Sequence, residues 1–259
     1  MKVHPIRVLG NSANYAYLII DTKSNTAAAV DPAEPDTIIA EANKLNVNIT
    51  TILTTHHHWD HANGNPGMVE KIPGLVVVGA DDRIPCLNHK VGEGSELKLG
   101  DIQISVRFTP CHTSGHVYYI AKGPDSNTLA LFSGDTLFIA GCGKFFEGTA
   151  EQMHHALMNV AAKLPGDTQV WCGHEYTVSN LRFALSVDPQ NTILQEKYKW
   201  AQERVGSSLP TVPSTIEEEL SYNPFMRVNL PALKTAVGDP TDSDITTMHK
   251  LREAKNNFK

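Results

Sequence analysis

Histidine and aspartate side chains are concentrated in one short segment, THHHWDH, which runs from Thr55 to His61. The segment follows a β-branched run that predicts a strand over 49–55, and alternate side chains of an extended chain point to the same side. His56 and His58 would therefore face one way, with Asp60 and His61 close behind. Imidazole and carboxylate groups together bind Zn, Fe or Mn. Four such groups in one loop could serve one divalent ion or two.

Three further candidate ligands stand where predicted strands end. They are His112, Asp135 and His174, each in a loop after an apolar run. Because functional sites gather at strand ends in α/β sheets, we expect these three to meet the side chains of the THHHWDH segment. Five imidazoles and two carboxylates would hold two ions, with one carboxylate bridging them.

Each candidate also has an interpretation without a metal. A lone His after a strand is more often a packed or capping residue than a ligand, Asp135 could form an Asx-turn, and Asp60 could cap a helix. The joint pattern H-x-H-x-D-H, with three partners downstream, favours the metal site. We expect no ligand role for His57, which points away from its neighbours, or for His116.

The composition narrows the class of protein. Apolar residues make up 41% of the 259 residues, and the formal net charge is −6. An acidic chain argues against nucleic acid or an anionic membrane surface as a partner, and no apolar run reaches the ~20 residues of a membrane helix. The four cysteines lack C-x-x-C spacing, which suits free thiols in a reducing compartment. We expect a cytoplasmic monomer.

The elements that must position these residues change in character near residue 175. Before it, short apolar runs predict strands that alternate with helical patterns, and beyond it helical patterns take over. Strands are predicted over 15–20, 26–30, 49–55, 75–78, 102–108, 117–121, 128–132 and 169–172, and helices over 36–45, 151–164, 180–187, 191–205, 216–220 and 242–254. Ser243 or Asp242 can cap the last helix. We therefore predict an α/β domain over residues 1–175 and an α-helical domain over 176–259.

The H-x-H-x-D-H motif resembles the defining loop of the metallo-β-lactamase superfamily. The chain also resembles the glyoxalase II (hydroxyacylglutathione hydrolase) family within it, because five longer motifs follow in order between residues 54 and 227. They are THHHWDHANGN, TPCHTSGH, FSGDTLFIAGCGKFFEGTAEQM, CGHEYT and NPFMR. The resemblance implies an α+β fold, a four-layer αββα sandwich, with a smaller C-terminal α-helical domain that binds glutathione.

The resemblance also implies roles for the seven candidate ligands. His56, His58 and His112 would hold the first metal ion, Asp60, His61 and His174 would hold the second, and Asp135 would bridge both. The two divalent ions would be zinc, with iron or manganese as alternatives, because such nitrogen and oxygen ligands accept all three. The nucleophile would be a metal-bridging hydroxide, with Asp60 as a proton acceptor. A thioester expels a thiolate whose conjugate acid has a pKa of ~8.5, so no strong general acid is needed.

The reaction implied by the resemblance is hydrolysis of S-(2-hydroxyacyl)glutathione, such as S-D-lactoylglutathione, to a 2-hydroxy acid and glutathione, a step of methylglyoxal detoxification. The resemblance implies glutathione contacts at Lys144, Tyr176, Arg252 and Lys255. Arg252 and Lys255 share a helix face, and without the resemblance they could be cations at a solvated helix end. Phe146 stands where many members have Tyr, so we predict weaker glutathione binding with hydrolysis retained.

The nearest alternative is a glutathione persulfide dioxygenase with mononuclear iron, an enzyme that resembles this family in its metal loop. The GHEYT continuation and the cationic C-terminal helix favour the hydrolase. Cys111 and Cys172 lie one or two positions from candidate ligands, and we expect packed thiols rather than nucleophiles. A binding protein without activity would be expected to lack at least one of the seven ligands.

Overall fold

A strand-rich unit and a helix-rich unit divide the chain in this computed structural model, which describes residues 1–10 and 13–258. The first unit comprises Met1–Phe108 with Gly115–Gly134, and the second comprises Thr109–Ser114 with Asp135–Lys259. The domain division at residue 175 rests on the change in sequence pattern and stays a prediction.

The first sheet of the strand-rich unit has six strands in chain order. They are β1 (Lys2–Val8), β2 (Asn14–Asp21), β3 (Thr26–Val30), β4 (Asn48–Leu53), β5 (Val76–Gly79) and β6 (His89–Lys90). β1 to β3 pair antiparallel, whereas β3 to β6 pair parallel. A parallel neighbour requires a crossover, which α1 (Pro35–Lys44) supplies between β3 and β4. The carboxyl ends of β3 and β4 therefore lie at the same edge of the sheet.

Both faces of this sheet are covered, because every residue of β2 is buried. Leu18 and Ile20 point into a core shared with Ile38 of α1 and with α3 (Asn65–Lys71). On the other face Tyr17 packs edge-on against Phe132, with 5.6 Å between ring centroids. Phe132 belongs to a second, antiparallel sheet. Within this unit its strands are β7 (Glu96–Leu99), β8 (Ile102–Phe108), β9 (Val117–Lys122) and β10 (Leu129–Gly134).

Helices dominate the second unit. They are α4 (Ala150–His154), α5 (Thr177–Val187), α6 (Thr192–Gly206), α7 (Ile216–Tyr222), α8 (Pro231–Val237) and α9 (Asp244–Asn257). Two antiparallel strand pairs accompany them. These are β11 (Leu137–Phe138) with β12 (Gly141–Cys142), and β13 (Gln169–Cys172) with β14 (Ser214–Thr215). Thr149 and Thr215 begin α4 and α7 with capping boxes, which satisfy the first N–H groups of each helix.

Each predicted strand is present, but the short strands β6, β7, β11, β12 and β14 were not predicted, and three further details differ from the predictions. The helix predicted over 151–164 is an α-helix only in α4 and continues as a π-helix at His155–Val160 and a 3-10 turn. β1 was not predicted, because Pro5 interrupts its pattern, although an edge strand tolerates proline. α8 was missed among the prolines of the C-terminal third.

Ser243 rather than Asp242 caps α9, and its Oγ accepts a hydrogen bond from the Thr246 N–H at 3.1 Å. None of the helices in residues 1–10 and 13–258 is long and apolar enough to cross a membrane.

Candidate active site

The histidine-rich segment leaves the carboxyl end of β4, beside the end of β3. The Asp31 N–H donates to the Leu53 carbonyl at 3.1 Å and joins the two strand ends. His56 and His58 then lie side by side, with His56 Nε2 3.1 Å from His58 Nδ1. Two ligand atoms at ~2.1 Å from a tetrahedral zinc ion are about 3.4 Å apart. The separation therefore suits two donors to one ion.

Asp31 is a buried carboxylate that the sequence patterns did not single out. Its Oδ1 accepts from the Thr55 N–H at 2.8 Å, and its Oδ2 accepts from the Thr55 hydroxyl at 2.7 Å and from His61 Nδ1 at 2.9 Å. Because an ionised carboxylate only accepts, His61 Nδ1 carries the proton and Nε2 is left to bind a metal. The only signal in the sequence was an Asp-Pro pair after a buried strand.

Asp60 lies in the first turn of α2 (Trp59–Ala62) and does not cap it, because the N-cap residue is His58. Asn14 Nδ2 donates to Asp60 Oδ2 at 3.0 Å and to the Asp60 carbonyl at 3.1 Å. The same Oδ2 lies 3.8 Å from His61 Nε2. Asn14 thus orients the Asp60 carboxylate toward the imidazole that Asp31 orients from the other side.

The two histidines without a predicted ligand role make other contacts. His57 Nδ1 lies 3.4 Å from Asp81 Oδ2, and Arg83 binds the same carboxylate. His116 is buried and stacks on His56, with 5.1 Å between ring centroids. Both side chains fix the shape of the loop around His56.

The second unit brings together the other three predicted ligands, all of them buried. Asp135 Oδ2 lies 3.1 Å from His174 Nε2 and 3.5 Å from His112 Nε2. His112 Nδ1 donates to the Lys144 carbonyl at 3.0 Å, which leaves the lone pair of Nε2 to bind a metal. One carboxylate oxygen between two imidazole nitrogens is the arrangement expected of a shared ligand.

The β11–β12 hairpin lies between Asp135 and Lys144 in the chain. At Gly143 its main chain comes back close to Asp135 and to His112. A Cβ at Gly143 would lie 1.9 Å from the Asp135 carbonyl oxygen and 2.9 Å from His112 Nδ1. A side chain there would displace backbone, so the close return requires glycine.

The donor set in each unit suits divalent metal ions. The nitrogens of His56 and His58 lie 3.1 Å apart, and Asp135 Oδ2 lies 3.1–3.5 Å from two imidazole nitrogens. Hydrogen bonds to Asp31 and to the Lys144 carbonyl fix the tautomers of His61 and His112. Such nitrogen and oxygen sets accept zinc, iron and manganese. The first unit supplies His56, His58, Asp60 and His61, and the second supplies His112, Asp135 and His174.

The cysteines beside the ligands are packed thiols, as predicted. Burial raises the pKa of Cys111 and of Cys172 to about 12, so neither forms a thiolate near neutral pH. The Cys111 thiol donates to the Thr149 carbonyl at 3.2 Å, and the Cys172 thiol donates to the His174 carbonyl at 3.3 Å. Neither is suited to act as a nucleophile.

A cavity of about 700 Å³ in the second unit is lined by three of the five predicted substrate residues, Lys144, Phe146 and Arg252. The Phe146 ring is 61% exposed and packs against the His112 ring, with 5.2 Å between centroids. The cavity therefore begins beside a predicted metal ligand and presents two cations.

The other two predicted substrate residues lie outside the lining of this cavity. Tyr176 stacks on His174, with 4.5 Å between centroids and parallel rings. Lys255 Nζ donates to the Ser179 carbonyl at 3.1 Å. Burial, and next the nearby charge of Arg252, lower the pKa of Lys255 to about 8.

Arg252 is buried and already holds the hairpin. Its Nη1 donates to the Cys142 carbonyl at 2.7 Å, and its Nε donates to Asn256 Oδ1 at 3.1 Å. A guanidinium carries five N–H donors, so these two bonds leave donors for a carboxylate in the cavity.

Two family descriptions together match nearly the whole chain. Residues 9–174 match the metallo-beta-lactamase superfamily, and residues 175–258 match the hydroxyacylglutathione hydrolase C-terminus. The chain is 49% identical over 261 residues to a protein of Arabidopsis thaliana named hydroxyacylglutathione hydrolase cytoplasmic, with 100% of both chains covered. It is 47% identical over 260 residues to a hydroxyacylglutathione hydrolase-like protein of Gallus gallus, with 100% of this chain and 91% of the other covered.

Among solved structures, ETHE1 from Myxococcus xanthus superposes with a TM-score of 0.70 at 24% identity, covering 97% of this chain and 90% of that chain. This likeness concerns the fold alone. The matches confirm the predicted metallo-β-lactamase fold with a C-terminal α-helical domain, and they confirm the predicted class of enzyme. The chain belongs to the hydroxyacylglutathione hydrolase (glyoxalase II) family of the metallo-β-lactamase superfamily.

Proposed function

We propose that the protein hydrolyses S-(2-hydroxyacyl)glutathione thioesters, with S-D-lactoylglutathione giving D-lactate and glutathione in methylglyoxal detoxification. One observation carries the proposal: the Asp135 carboxylate lies between two imidazoles, beside a cavity that presents Lys144 and Arg252. Membership of the hydroxyacylglutathione hydrolase family supports the same reaction.

Two divalent metal ions complete the proposed site. His56, His58 and His112 would hold the first, Asp60, His61 and His174 would hold the second, and Asp135 would hold both. We favour zinc, with iron or manganese as alternatives. When bound, the ions supply an activated water as nucleophile and polarise the thioester carbonyl.

The chain's own groups orient the ligands and handle the proton. Asp60 Oδ2 is the atom that we propose accepts a proton from the attacking water, and the hydrogen bond from Asn14 holds that carboxylate in place. The departing thiolate belongs to a thiol with a pKa of ~8.5, so it leaves without a strong general acid.

Substrate recognition rests on the proposed contacts of five residues. The remaining N–H donors of Arg252 and the ammonium of Lys255 would bind the glycine carboxylate of glutathione, since both lie on α9. Lys144 and Tyr176 would contact the peptide part. Phe146 offers no hydroxyl, which weakens binding without touching the metal site.

The proposed setting is the cytoplasm, with the protein as a monomer and with neither nucleic acid nor a membrane as partner. The name of the Arabidopsis thaliana relative supports the location, and the net charge of −6 supports the absence of anionic macromolecular partners.

The test compares two thioesters with the zinc-loaded protein. S-D-lactoylglutathione carries both glutathione carboxylates, whereas the D-lactoyl thioester of N-acetylcysteamine carries none. Because a hydrogen bond to a charged group contributes about 1.5–3 kcal/mol, kcat/KM for the truncated thioester should be lower by about 10- to 100-fold or more. Chelation should abolish turnover of both. If neither thioester is cleaved and the iron-loaded protein consumes oxygen with glutathione persulfide, the dioxygenase replaces the hydrolase.

A further inference from the structure

Glu219 of α7 is a fully buried carboxylate that neither binds a metal nor lines the substrate cavity in the proposed function. Four donors point at it: the Ala140 N–H at 2.9 Å, Ser214 Oγ at 2.7 Å, Tyr222 Oη at 2.9 Å and Asn223 Nδ2 at 2.9 Å. Burial raises the pKa of Glu219, and these hydrogen bonds act in the opposite direction. A buried ionisable group is costly unless its partners are complete, so this cluster has a defined geometry.

The bonds of the cluster converge on the main chain of the β11–β12 hairpin. Asn223 Nδ2 also donates to the carbonyls of Phe138 at 3.2 Å and Gly141 at 3.1 Å. Two further side chains complete the set, since Asn180 Nδ2 donates to the Ile139 carbonyl at 3.1 Å and Arg252 donates to the Cys142 carbonyl at 2.7 Å. Every residue from Phe138 to Cys142 is therefore held by a buried side chain of the C-terminal helical region.

The hairpin needs this hold, because Ala140 has a φ of +55°. A residue with a Cβ rarely adopts this left-handed conformation unless its surroundings fix it. Glu219 Oε2 accepts the N–H of this same residue. The Glu219 carboxylate thus binds the hairpin residue whose backbone conformation is left-handed.

The two ends of the hairpin lead directly to the proposed active site. One end carries Asp135, and the other carries Lys144, whose carbonyl accepts from His112 Nδ1. Gly143 packs against Asp135 and His112 so closely that the hairpin cannot shift without moving them. A displacement at Ala140 would therefore reach two metal ligands and one substrate residue.

We propose that Glu219 is a positioning residue, which acts through Asn223 and the hairpin main chain to hold Asp135, His112 and Lys144 in their working positions. Its consequence for turnover rests on the proposed function, whereas its consequence for metal binding does not. Glutamine at position 219 would keep the shape but would turn an amide NH₂ toward groups that donate hydrogen bonds.

The experiment compares Glu219→Gln with Glu218→Gln, the same change at the preceding position of α7. Glu218 accepts from the Thr215 N–H at 3.1 Å and pairs with Lys197 at 3.1 Å, so the control weakens the helix start without loosening a bond to the hairpin. Three quantities are measured: hydrogen exchange of the amides in 137–143 of the metal-free protein, zinc affinity by competition with a chromophoric chelator, and kcat and KM with S-D-lactoylglutathione. We expect Glu219→Gln to lose hairpin protection and to lower zinc affinity and kcat at least tenfold, with the control within twofold of wild type.

A folded Glu219→Gln protein with zinc affinity within twofold of wild type overturns the proposal, even where hairpin protection is lost. If Glu219→Gln does not fold, Ser214→Ala removes one of the four donors and should lower zinc affinity at least threefold, and unchanged affinity there also overturns the proposal. A wild-type protein that does not cleave the thioester contradicts the proposed function alone, since hydrogen exchange and zinc affinity still decide the role of Glu219.

Discussion

His61 is prepared to bind a metal because Asp31 determines which of its two ring nitrogens carries the proton. The same carboxylate accepts two hydrogen bonds from Thr55, so it also fixes the first residue of the THHHWDH segment. The local motif singled out His61 as a candidate ligand, but no pattern in the sequence singled out the residue that orients it. The distance in sequence explains this, since Asp31 and His61 are 30 positions apart.

Asp31→Asn should therefore weaken metal binding, although Asp31 is not itself a proposed ligand. The Asp31 carboxylate accepts three hydrogen bonds through its two oxygens, whereas an amide has one acceptor oxygen and would turn its NH₂ toward either the Thr55 N–H or the Thr55 hydroxyl and His61 Nδ1. Loss of a partner that orients a metal ligand typically lowers metal affinity by about 10- to 100-fold, and we expect this range for Asp31→Asn. Zinc titration against a competing chelator measures it.

Asp21→Asn is the matched control, because Asp21 is also 3% exposed. Among the described residues it accepts hydrogen bonds from Lys23 and Ser24 of its own turn and from the Asp101 N–H, and none of these is a proposed ligand. Equal zinc affinity in both variants and in wild type would show that Asp31 has no role at the metal site.

Phe146 stands at a position where, by the resemblance, many members of the family have Tyr, so the chain lacks a hydroxyl there. Phe146→Tyr should lower KM for S-D-lactoylglutathione by about two- to tenfold, the effect of one net hydrogen bond of about 0.5–1.5 kcal/mol. kcat should stay within twofold, because the ring already packs on His112. Steady-state kinetics at saturating zinc measure both constants. An unchanged KM would contradict the prediction that the missing hydroxyl at Phe146 weakens substrate binding.

Lys255 should give substrate binding a pH dependence in the mildly alkaline range. Burial lowers the pKa of Lys255 to about 8, so its positive charge is present below pH 8 and is lost above it. Because an anionic substrate prefers the charged form, KM should rise above pH 8 by up to tenfold per pH unit, while kcat changes little.

Lys255→Arg provides the check, since arginine keeps its charge to beyond pH 12. KM of this variant should stay flat between pH 7 and 9 after subtraction of spontaneous thioester hydrolysis. The same rise in KM in wild type and in Lys255→Arg would exclude Lys255 as its cause.

The β11–β12 hairpin shows which structural elements the sequence could and could not predict. Strands with clear apolar runs and helices with caps were found, because their signals are local. The hairpin consists of two-residue strands, and its partner Glu219 lies 79 positions from Ala140, so no local pattern connects them. β1 was missed because Pro5 interrupts its pattern, and the helical pattern over 151–164 does not distinguish a π-helix from an α-helix.

Gly143→Ala tests whether the hairpin is held against the ligands as closely as the distances indicate. The added Cβ would meet the Asp135 carbonyl oxygen at 1.9 Å, so the backbone must move, and overpacking of this kind costs about 1–3 kcal/mol. We expect at least a tenfold loss of zinc affinity and of kcat.

Gly206→Ala at the end of α6 is the control, because an added Cβ there meets no atom within 4 Å. Its zinc affinity and kcat should match wild type. A Gly143→Ala protein that behaved like the control would mean that the hairpin can shift without disturbing Asp135 or His112.

The protein combines a strand-rich unit and a helix-rich unit, each of which contributes a subset of the seven proposed ligands. The fold and the family were predictable, because motifs in fixed order extend from the first third of the chain to its C-terminal region. The identity of the ions was not, since the same nitrogen and oxygen donors accept several metals.

The most direct test is therefore a zinc titration of the metal-free protein, with hydrolysis of S-D-lactoylglutathione and release of free thiol recorded at each step. Seven ligands that hold two ions predict activity that reaches its plateau at two equivalents of zinc, with one thiol released for each thioester cleaved. A plateau at one equivalent would contradict the two-metal site, and no thiol release at any zinc concentration would contradict the hydrolase.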